Sequence, residues 1–227
     1  MNNLQMLYKV NDIGLRLLNE EDLTGSNYLN WFNDPDVTRV TTHGTFAMTK
    51  QGVMDFISSI TKKEAIVFGI YWLFADTDGE TGKKINRCIH VGNASLQSIN
   101  WINKTAEFAI IIGETDQWGK GIASIALWKL LHHAFNKCGL HRVWSGTSSH
   151  NPGMQRVFEK LGFKKEGVFR EAKLQDGKFV DIYEYAILEQ EYRIAERHLE
   201  VDVEDKTGRN IVRVQLGEKY EHTTGEE

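Results

Sequence analysis

Apolar residues along this chain recur with two different periods, and the segments that carry them alternate. Ala65 to Phe74 is rich in Ile, Val, Phe, Tyr and Trp and predicts a strand. Phe108-Ala109-Ile110-Ile111-Ile112 is an unbroken apolar run and predicts a buried strand within 104–112. Further strands are expected near 12–18, 87–98, 141–147, 163–174 and 179–188. A four-residue step follows the apolar run. Ile122, Ala126, Leu130, Ala134 and Cys138 mark one face of a helix over 120–137, with Lys137 in its last turn and Gly139 as its stop. Met154, Val157, Phe158 and Leu161 form a second stripe; Asn151 suits the cap of that helix, Pro152 its first turn and Gly162 its end. Two more helical pieces are expected near 21–33 and 49–62. The order predicts one α/β domain over residues 1–190, with a mixed sheet covered on both faces.

Residues 191–227 follow another pattern. Leu199 to Val203 and Ile211 to Leu216 alternate apolar and polar positions around Asp205-Lys206-Thr207-Gly208-Arg209-Asn210. That predicts a C-terminal β-hairpin over 199–216, whose edge is a candidate homodimer contact. Residues 217–227 are polar and expected to be a mobile acidic end. The extension holds ten acids and six Lys/Arg, so it carries the whole net charge of −4 while the first 190 residues are neutral. No basic face is evident, so a nucleic-acid partner is not expected.

The 227 residues suffice for a sizeable core, and 41% hydrophobic content is ordinary for a globular domain. No stretch approaches a membrane span, and the first residues lack the basic start and apolar core of a signal peptide. Cys88 and Cys138 form no metal or redox motif, and Cys138 reads as a small buried thiol on a helix face. His132, His133 and His141 have no ligand-like company, so no metal is expected. A cytoplasmic location fits these features, as does the absence of a membrane partner.

The chemistry points to Gln117-Trp118-Gly119-Lys120-Gly121-Ile122-Ala123, where a strand runs through a glycine-rich turn into a helix. Such a turn presents backbone N–H groups at the positive end of a helix dipole. Gly119 and Gly121 allow close approach, Lys120 adds a cation, and a phosphate or pyrophosphate ligand is implied. A P-loop is excluded, because Gly113 to Gly119 has the wrong spacing and Lys120 is followed by Gly121. A dinucleotide fingerprint is excluded by Ser124 at the third glycine position.

The turn resembles the acyl-CoA loop of the GNAT superfamily of N-acetyltransferases, [QR]-x-x-G-x-[GA]. Gly121 and Ala123 fit its last fixed positions, and Trp118 stands where Gln or Arg is usual. A W-G-K-G-x-[AG] form is familiar in the branch of ribosomal-protein-alanine and small-amine acetyltransferases. Leu15-Arg16-Leu17-Leu18 with Glu20 to Leu23, Tyr28 to Val37, Ile89 to Asn93, Asn151 with Phe158 to Phe163, and Glu166-Gly167 with Asp181 are similar to other parts of that branch, in order. The resemblance covers residues 12 to 190. It implies a GNAT-type sheet, mixed and mostly antiparallel, and acetyl-CoA as co-substrate without a metal. It implies that Trp118, Gly119, Lys120, Gly121, Ile122, Ala123 and Ser124 hold the CoA phosphates. The strand end before the loop, about Ile110, Ile111, Ile112 and Gly113, would hold the pantetheine arm through its backbone.

By the same resemblance Glu107 is the general base and Asn151 contacts the CoA arm or an ordered water. Many relatives carry a tyrosine seven residues after that asparagine, which protonates the departing thiolate; here the position is Phe158. Ser149, His150 and Tyr183 are the substitutes to consider. Acceptor recognition is expected from Trp31, Asn33, Asp34, Arg39 and the loop through Thr45, although Asn33-Asp34-Pro35 is also a good turn former. His43 and His90 border the same region, and a satisfied structural role is the preferred reading of both. The implied reaction is acetyl transfer to a primary amine in a ternary complex, with a small-molecule acceptor such as an amino sugar or sugar nucleotide. The alternatives are a protein N-terminal acetyltransferase of ribosomal-protein type and a non-catalytic acyl-CoA-binding module.

Overall fold

The computed structural model describes residues 5–24, 26–41, 47–60, 65–77, 82, 84–202 and 213–216. In chain order its elements are β1 (Tyr8–Val10), β2 (Ile13–Leu17), α1 (Glu20–Thr24), α2 (Tyr28–Trp31), α3 (Pro35–Thr38), α4 (Lys50–Ile60), β3 (Ile66–Thr77), β4 (Lys84–Asn100) and β5 (Thr105–Ile112). A short 3-10 turn, Thr115–Gln117, leads to α5 (Ile122–Asn136). The chain continues through β6 (Arg142–Ser148), α6 (Pro152–Lys160), β7 (Lys164–Gln175), β8 (Lys178–Leu188), α7 (Glu189–His198), β9 (Leu199–Asp202) and β10 (Arg213–Leu216). Eight strands form one sheet in the order β1-β2-β3-β4-β5-β6-β8-β7, and β9 and β10 pair by themselves. Every neighbouring pair is antiparallel except β5–β6. A parallel pair needs a crossover, and α5 supplies it.

Side chains alternate across a strand, and β5 separates the two faces of the sheet. Phe108, Ile110 and Ile112 join the larger core, where Leu127 and Leu130 of α5 and Phe158 of α6 pack. Ile111 points the other way, into a smaller core made by Leu23, Tyr28, Trp31, Phe32, Val37 and Val53 from the N-terminal helices. The apolar run is therefore covered on both sides, which is why it shows no polar alternation.

The helix expected over 21–33 is three short ones. Asn19 and Asp22 bond each other's backbone N–H at the start of α1, and Ser26 accepts from Tyr28 N. Such side-chain bonds compete with helix continuation, and Pro35 fits only a first turn. Two elements carried no clear sequence signal: β1, three residues long, and α7. Tyr192 of α7 lies 5.0 Å from Phe135 of α5 between ring centroids, so the chain beyond residue 190 returns to the core. The hairpin strands pair as expected, from Leu199↔Leu216 to Arg213↔Asp202, and β10 lies against α5 and α6. The turn of that hairpin and the polar end at 217–227 lie outside the described residues. No helix among the described residues is long and apolar enough to cross a membrane.

Candidate active site

β5 and β6 pair over three rungs only, from Thr105↔Arg142 to Glu107↔Trp144. Beyond them β5 stays with β4 as far as Ile112↔Gly92, and β6 stays with β8 as far as Ser148↔Ile182. The two facing edges therefore part, and from Phe108 onward the backbone of β5 has no strand partner on that side among the described residues. A slot bordered by hydrogen-bonding backbone results. Ile111, Ile112 and Gly113 stand along it. Because β5 and β6 run the same way, α5 and α6 both begin at its open end.

The turn before α5 is built by backbone conformation. Gly119 and Gly121 have φ of 76° and 80°, a region that costs an L-residue a Cβ clash. Gly121 is the N-cap and offers no side-chain oxygen, and the first turn of α5 holds no acid. The first N–H groups of a helix have no intrahelical acceptor, so those of Ile122, Ala123 and Ser124 are left for a ligand. Their charge and geometry fit a phosphate. Trp118 ties the loop to the strand end, its indole N–H donating to the Ile112 carbonyl at 2.8 Å. Lys120 Nζ donates to Gln117 Oε1 and lies 5.5 Å from the centroid of Trp72.

At the other helix, Asn151 caps α6 by accepting from Met154 N at 3.2 Å. Ser149 and His150 follow the end of β6 beside it, held by Ser149 N to Asp181 O and His150 N to Ser148 Oγ. Phe158 is 1% exposed and sits among Phe108, Phe163 and Tyr185 at centroid distances of 6.4, 5.0 and 5.0 Å. Tyr183 pairs with Thr147 and carries Lys165 Nζ over its ring.

Glu107 occupies the last shared rung, on the face opposite Phe108, and accepts from Ser98 Oγ at 3.3 Å. Glu184 of β8 is paired with Gly146 of β6. A Cβ on Gly146 would come within 2.6 Å of Glu184 Oε1, so this carboxylate lies over β6. Burial pushes the Glu184 carboxyl above its ordinary range, and the nearby charge of Glu107 adds to that; Arg142 opposes it and Glu166 reinforces it. Arg142 grips Glu166 with both guanidinium nitrogens, one at 2.7 Å, which holds the Glu166 carboxyl below its ordinary range.

The expected acceptor residues prove to be fastened. Trp31 is 1% exposed, and its indole N–H donates to Glu114 Oε1 at 2.9 Å. A Cβ on Gly113 would come within 1.9 Å of the Trp31 ring, so the ring lies directly on the end of β5. Asn33 bonds Leu29 O, Met48 O and Met48 N, pinning α2 to the start of α4. Asp34 caps α3 by accepting from Asp36 N at 2.9 Å, so the turn-forming reading of this stretch holds. Arg39 is exposed, and its carbonyl accepts from Gln175 Nε2 while that of Val40 accepts from Lys173 Nζ. His43 and the loop to Thr45 lie outside the described residues. His90 is buried, with Nε2 on Asn93 Oδ1 at 2.8 Å and Nδ1 on Ser26 Oγ at 3.1 Å, a satisfied structural histidine. Sequence reasoning missed Glu114 and Glu184. The available signal for Glu184 was a lone acid between two tyrosines in a strand, which alternation turns away from the larger core.

A family model described as an acetyltransferase (GNAT) domain matches residues 12–164. Spermidine N(1)-acetyltransferase of Vibrio cholerae is 32% identical over 102 residues, 45% of this chain and 58% of that protein. Ribosomal-protein-serine acetyltransferase of Escherichia coli is 33% identical over 96 residues, 42% of this chain and 53% of that protein. The chain thus spans little more than half the length of these curated relatives. Among solved structures, spermidine N-acetyltransferase from Vibrio cholerae in complex with CoA and spermine superposes with a TM-score of 0.65 at 23% identity, over 80% of this chain and 98% of that one. At that identity the likeness concerns the fold.

Proposed function

The chain belongs to the GNAT acetyltransferases, and from that premise we propose that it transfers an acetyl group from acetyl-CoA to the primary amine of a small molecule, by direct attack in a ternary complex. The observation that carries this reading is the slot where β5 and β6 part, closed at one end by Glu107 and opening at the other onto the glycine turn before α5. The first-turn N–H groups from Ile122 to Ser124, with Lys120, take the CoA phosphates. The end of β5, about Ile110 to Gly113, takes the pantetheine arm through the backbone groups that face the slot rather than β4, since Gly113 N–H is already spent on Val91 O and the Ile112 carbonyl on Trp118; the slot-side N–H groups lie where negative charge grows on the thioester oxygen. Asn151 caps α6 at the same end of the slot, and its remaining hydrogen-bonding capacity serves the CoA arm or an ordered water. An ammonium has no lone pair, so the acceptor must shed a proton; Glu107 receives it, directly or through a water. A CoA thiolate, with an ordinary thiol pKa of about 8.5, leaves with little acid assistance near neutral pH, which suits the phenyl ring at Phe158.

The acceptor is a small amine rather than an extended peptide. The bonds from Lys173 and Gln175 to the carbonyls of Val40 and Arg39 join α3 to the β7–β8 hairpin, and this strap narrows the acceptor face. Trp31, Asn33 and Asp34 shape that face by holding α2 and α3 in position, and Arg39 borders it. Within small amines, the Vibrio relative's name favours a polyamine, and the Tyr28 to Asp36 stretch an amino sugar or its nucleotide. A protein N-terminus is the second reading, favoured by the name of the E. coli relative.

The test follows thiol release from acetyl-CoA with separate pools of polyamines, amino sugars and their nucleotides, and peptides with free N-termini. Release with one of the first two pools is expected, and Glu107→Gln should reduce it. Release with peptides alone overturns the small-molecule reading. Acetyl-CoA binding without release from any pool overturns the transferase reading in favour of a non-catalytic acyl-CoA-binding module.

A further inference from the structure

Resting on the acetyl-transfer reading, we propose that Glu184 is a second carboxylate of the acceptor site: the acceptor's ammonium is held between Glu107 and Glu184, and the pair takes up the proton that the nitrogen must lose. The register supports this. Alternation along β5 sets Glu107 opposite Phe108, on the face of the sheet that Ile111 shares with the N-terminal helices. Alternation along β8 does the same for Glu184, because its neighbour Tyr185 stacks on Phe158 on the other face. Glu107 pairs with Trp144 and Glu184 with Gly146, two residues further along β6. The two carboxylates therefore stand on one face, one on each wall of the slot, where the strands separate.

Gly146 makes this arrangement fit. Any larger residue would place its Cβ 2.6 Å from Glu184 Oε1, so only glycine lets the side chain cross β6 towards the slot. Both acids are thinly partnered. Glu184 accepts no hydrogen bond among the described residues, and Glu107 accepts one, at 3.3 Å, from Ser98. The charges around Glu184 are Glu107 on β5, Arg142 on β6 and Glu166 on β7. Arg142 and Glu166 satisfy each other in a two-pronged pair, so among the described residues neither Glu107 nor Glu184 has an ion-pair partner of its own. Burial, first, and the charge of Glu107, second, raise the Glu184 carboxyl above its ordinary range. An ammonium held between them supplies the opposite charge that both carboxylates lack.

One N–H bond of the ammonium breaks and its proton passes to the Glu107–Glu184 pair. The freed lone pair forms the C–N bond to the thioester carbon, and the C=O π electrons move to oxygen. When these return, the C–S bond breaks and its electrons leave with sulfur. The nitrogen then sheds its second proton, the thiolate takes up one, and the pair releases the other to solvent.

The experiment compares wild type, Glu184→Gln, Glu107→Gln and the double variant, with spermidine, glucosamine and a serine-led peptide as acceptors, across pH 5.5–9, alongside calorimetric binding of acetyl-CoA. Glu184→Gln is expected to lower kcat/KM at least tenfold, leave acetyl-CoA affinity unchanged and move the acid limb of the profile to lower pH. The double variant should lose less than the product of the single losses, as residues acting as one unit do. Gly146→Ala keeps both charges but pushes the carboxylate off β6, and should reproduce the loss. Unchanged kcat/KM and pH profile in Glu184→Gln, with Glu107→Gln impaired, overturns this assignment alone. A wild-type chain that binds acetyl-CoA and acetylates none of the three overturns the transferase reading and this assignment with it.

Discussion

The two ends of the slot are built from different materials. At the end proposed for the cofactor the candidate groups are backbone: a strand edge that leaves β6, two glycines at positive φ, and the N–H groups of a first helical turn. At the end proposed for the acceptor they are side chains brought from distant parts of the sequence: Glu107 on β5, Glu184 on β8, and Trp31 pinned by Glu114 over Gly113. The first end depends on conformation and tolerates changes of side chain. The second depends on chemical identity and on packing. Substitutions should therefore fail differently at each, through affinity for acetyl-CoA at one and through rate at the other.

The largest effect is expected from Glu107→Gln. A positioned general base contributes roughly a hundredfold or more, so kcat/KM should fall by about that factor while acetyl-CoA affinity holds. A calorimetric loss of acetyl-CoA binding in this variant would break the division between the two ends. Gly113→Ala comes next, and it strikes both ends. Its Cβ would meet the Trp31 ring at 1.9 Å, and overpacking of this kind costs about 1–3 kcal/mol, read as a lower urea midpoint. Gly121→Ala belongs to the cofactor end alone. Holding an L-residue at the φ of 80° costs about 1–2 kcal/mol, and the gain from relaxing the turn should appear as weaker acetyl-CoA binding with kcat nearly intact. A fall in kcat without a fall in affinity would place Gly121 in the chemistry instead.

The same division explains what the sequence disclosed. The turn from Trp118 to Ala123 was legible because backbone conformation is written locally, in glycines between a strand and a helix. Most strands and both long helices were legible because burial imposes a period on consecutive residues. Asn151 as a cap and Pro152 in a first turn are local in the same way. The acceptor end was harder. Nothing near Glu184 in sequence says that Gly146 will sit beneath it, because that contact is set by the β6–β8 register. Trp31 carried the reverse ambiguity: a tryptophan before Asn33-Asp34-Pro35 suggests an exposed binding ring, and only the fold shows it sealed against Gly113. The region over 21–33 misled because its apolar residues keep a helical spacing that Ser26, Asn27 and Pro35 interrupt.

The smallest expected effect lies beneath the acceptor end and reads stability rather than rate. His90 is buried, stacked on Tyr71 at 5.1 Å and edge-on to Trp31 at 5.0 Å, with both ring nitrogens bonded. Burial lowers its pKa below the ordinary 6.5, although the nearby Asp22 and the bond to Asn93 oppose the shift. The unfolded chain therefore binds a proton here at a pH where the folded chain does not. The stabilisation is fully present above the unfolded pKa and is lost as pH falls through 6.5 towards the folded value, with a slope of at most about 1.4 kcal/mol per pH unit. His133 is lowered as well, by burial and by its neighbours His132 and Lys137, and Glu184 acts in the opposite sense, so the wild-type curve alone does not isolate His90. The difference between wild type and His90→Gln does. Urea midpoints at pH 7.5 and 5.5 should show the variant less stable than wild type at the higher pH and closer to it at the lower. Equal gaps at both would mean that His90 titrates alike in the folded and unfolded chains, whereas a gap that widens at pH 5.5 would mean that the folded chain holds the proton more tightly and that the floor beneath Trp31 is charged rather than neutral.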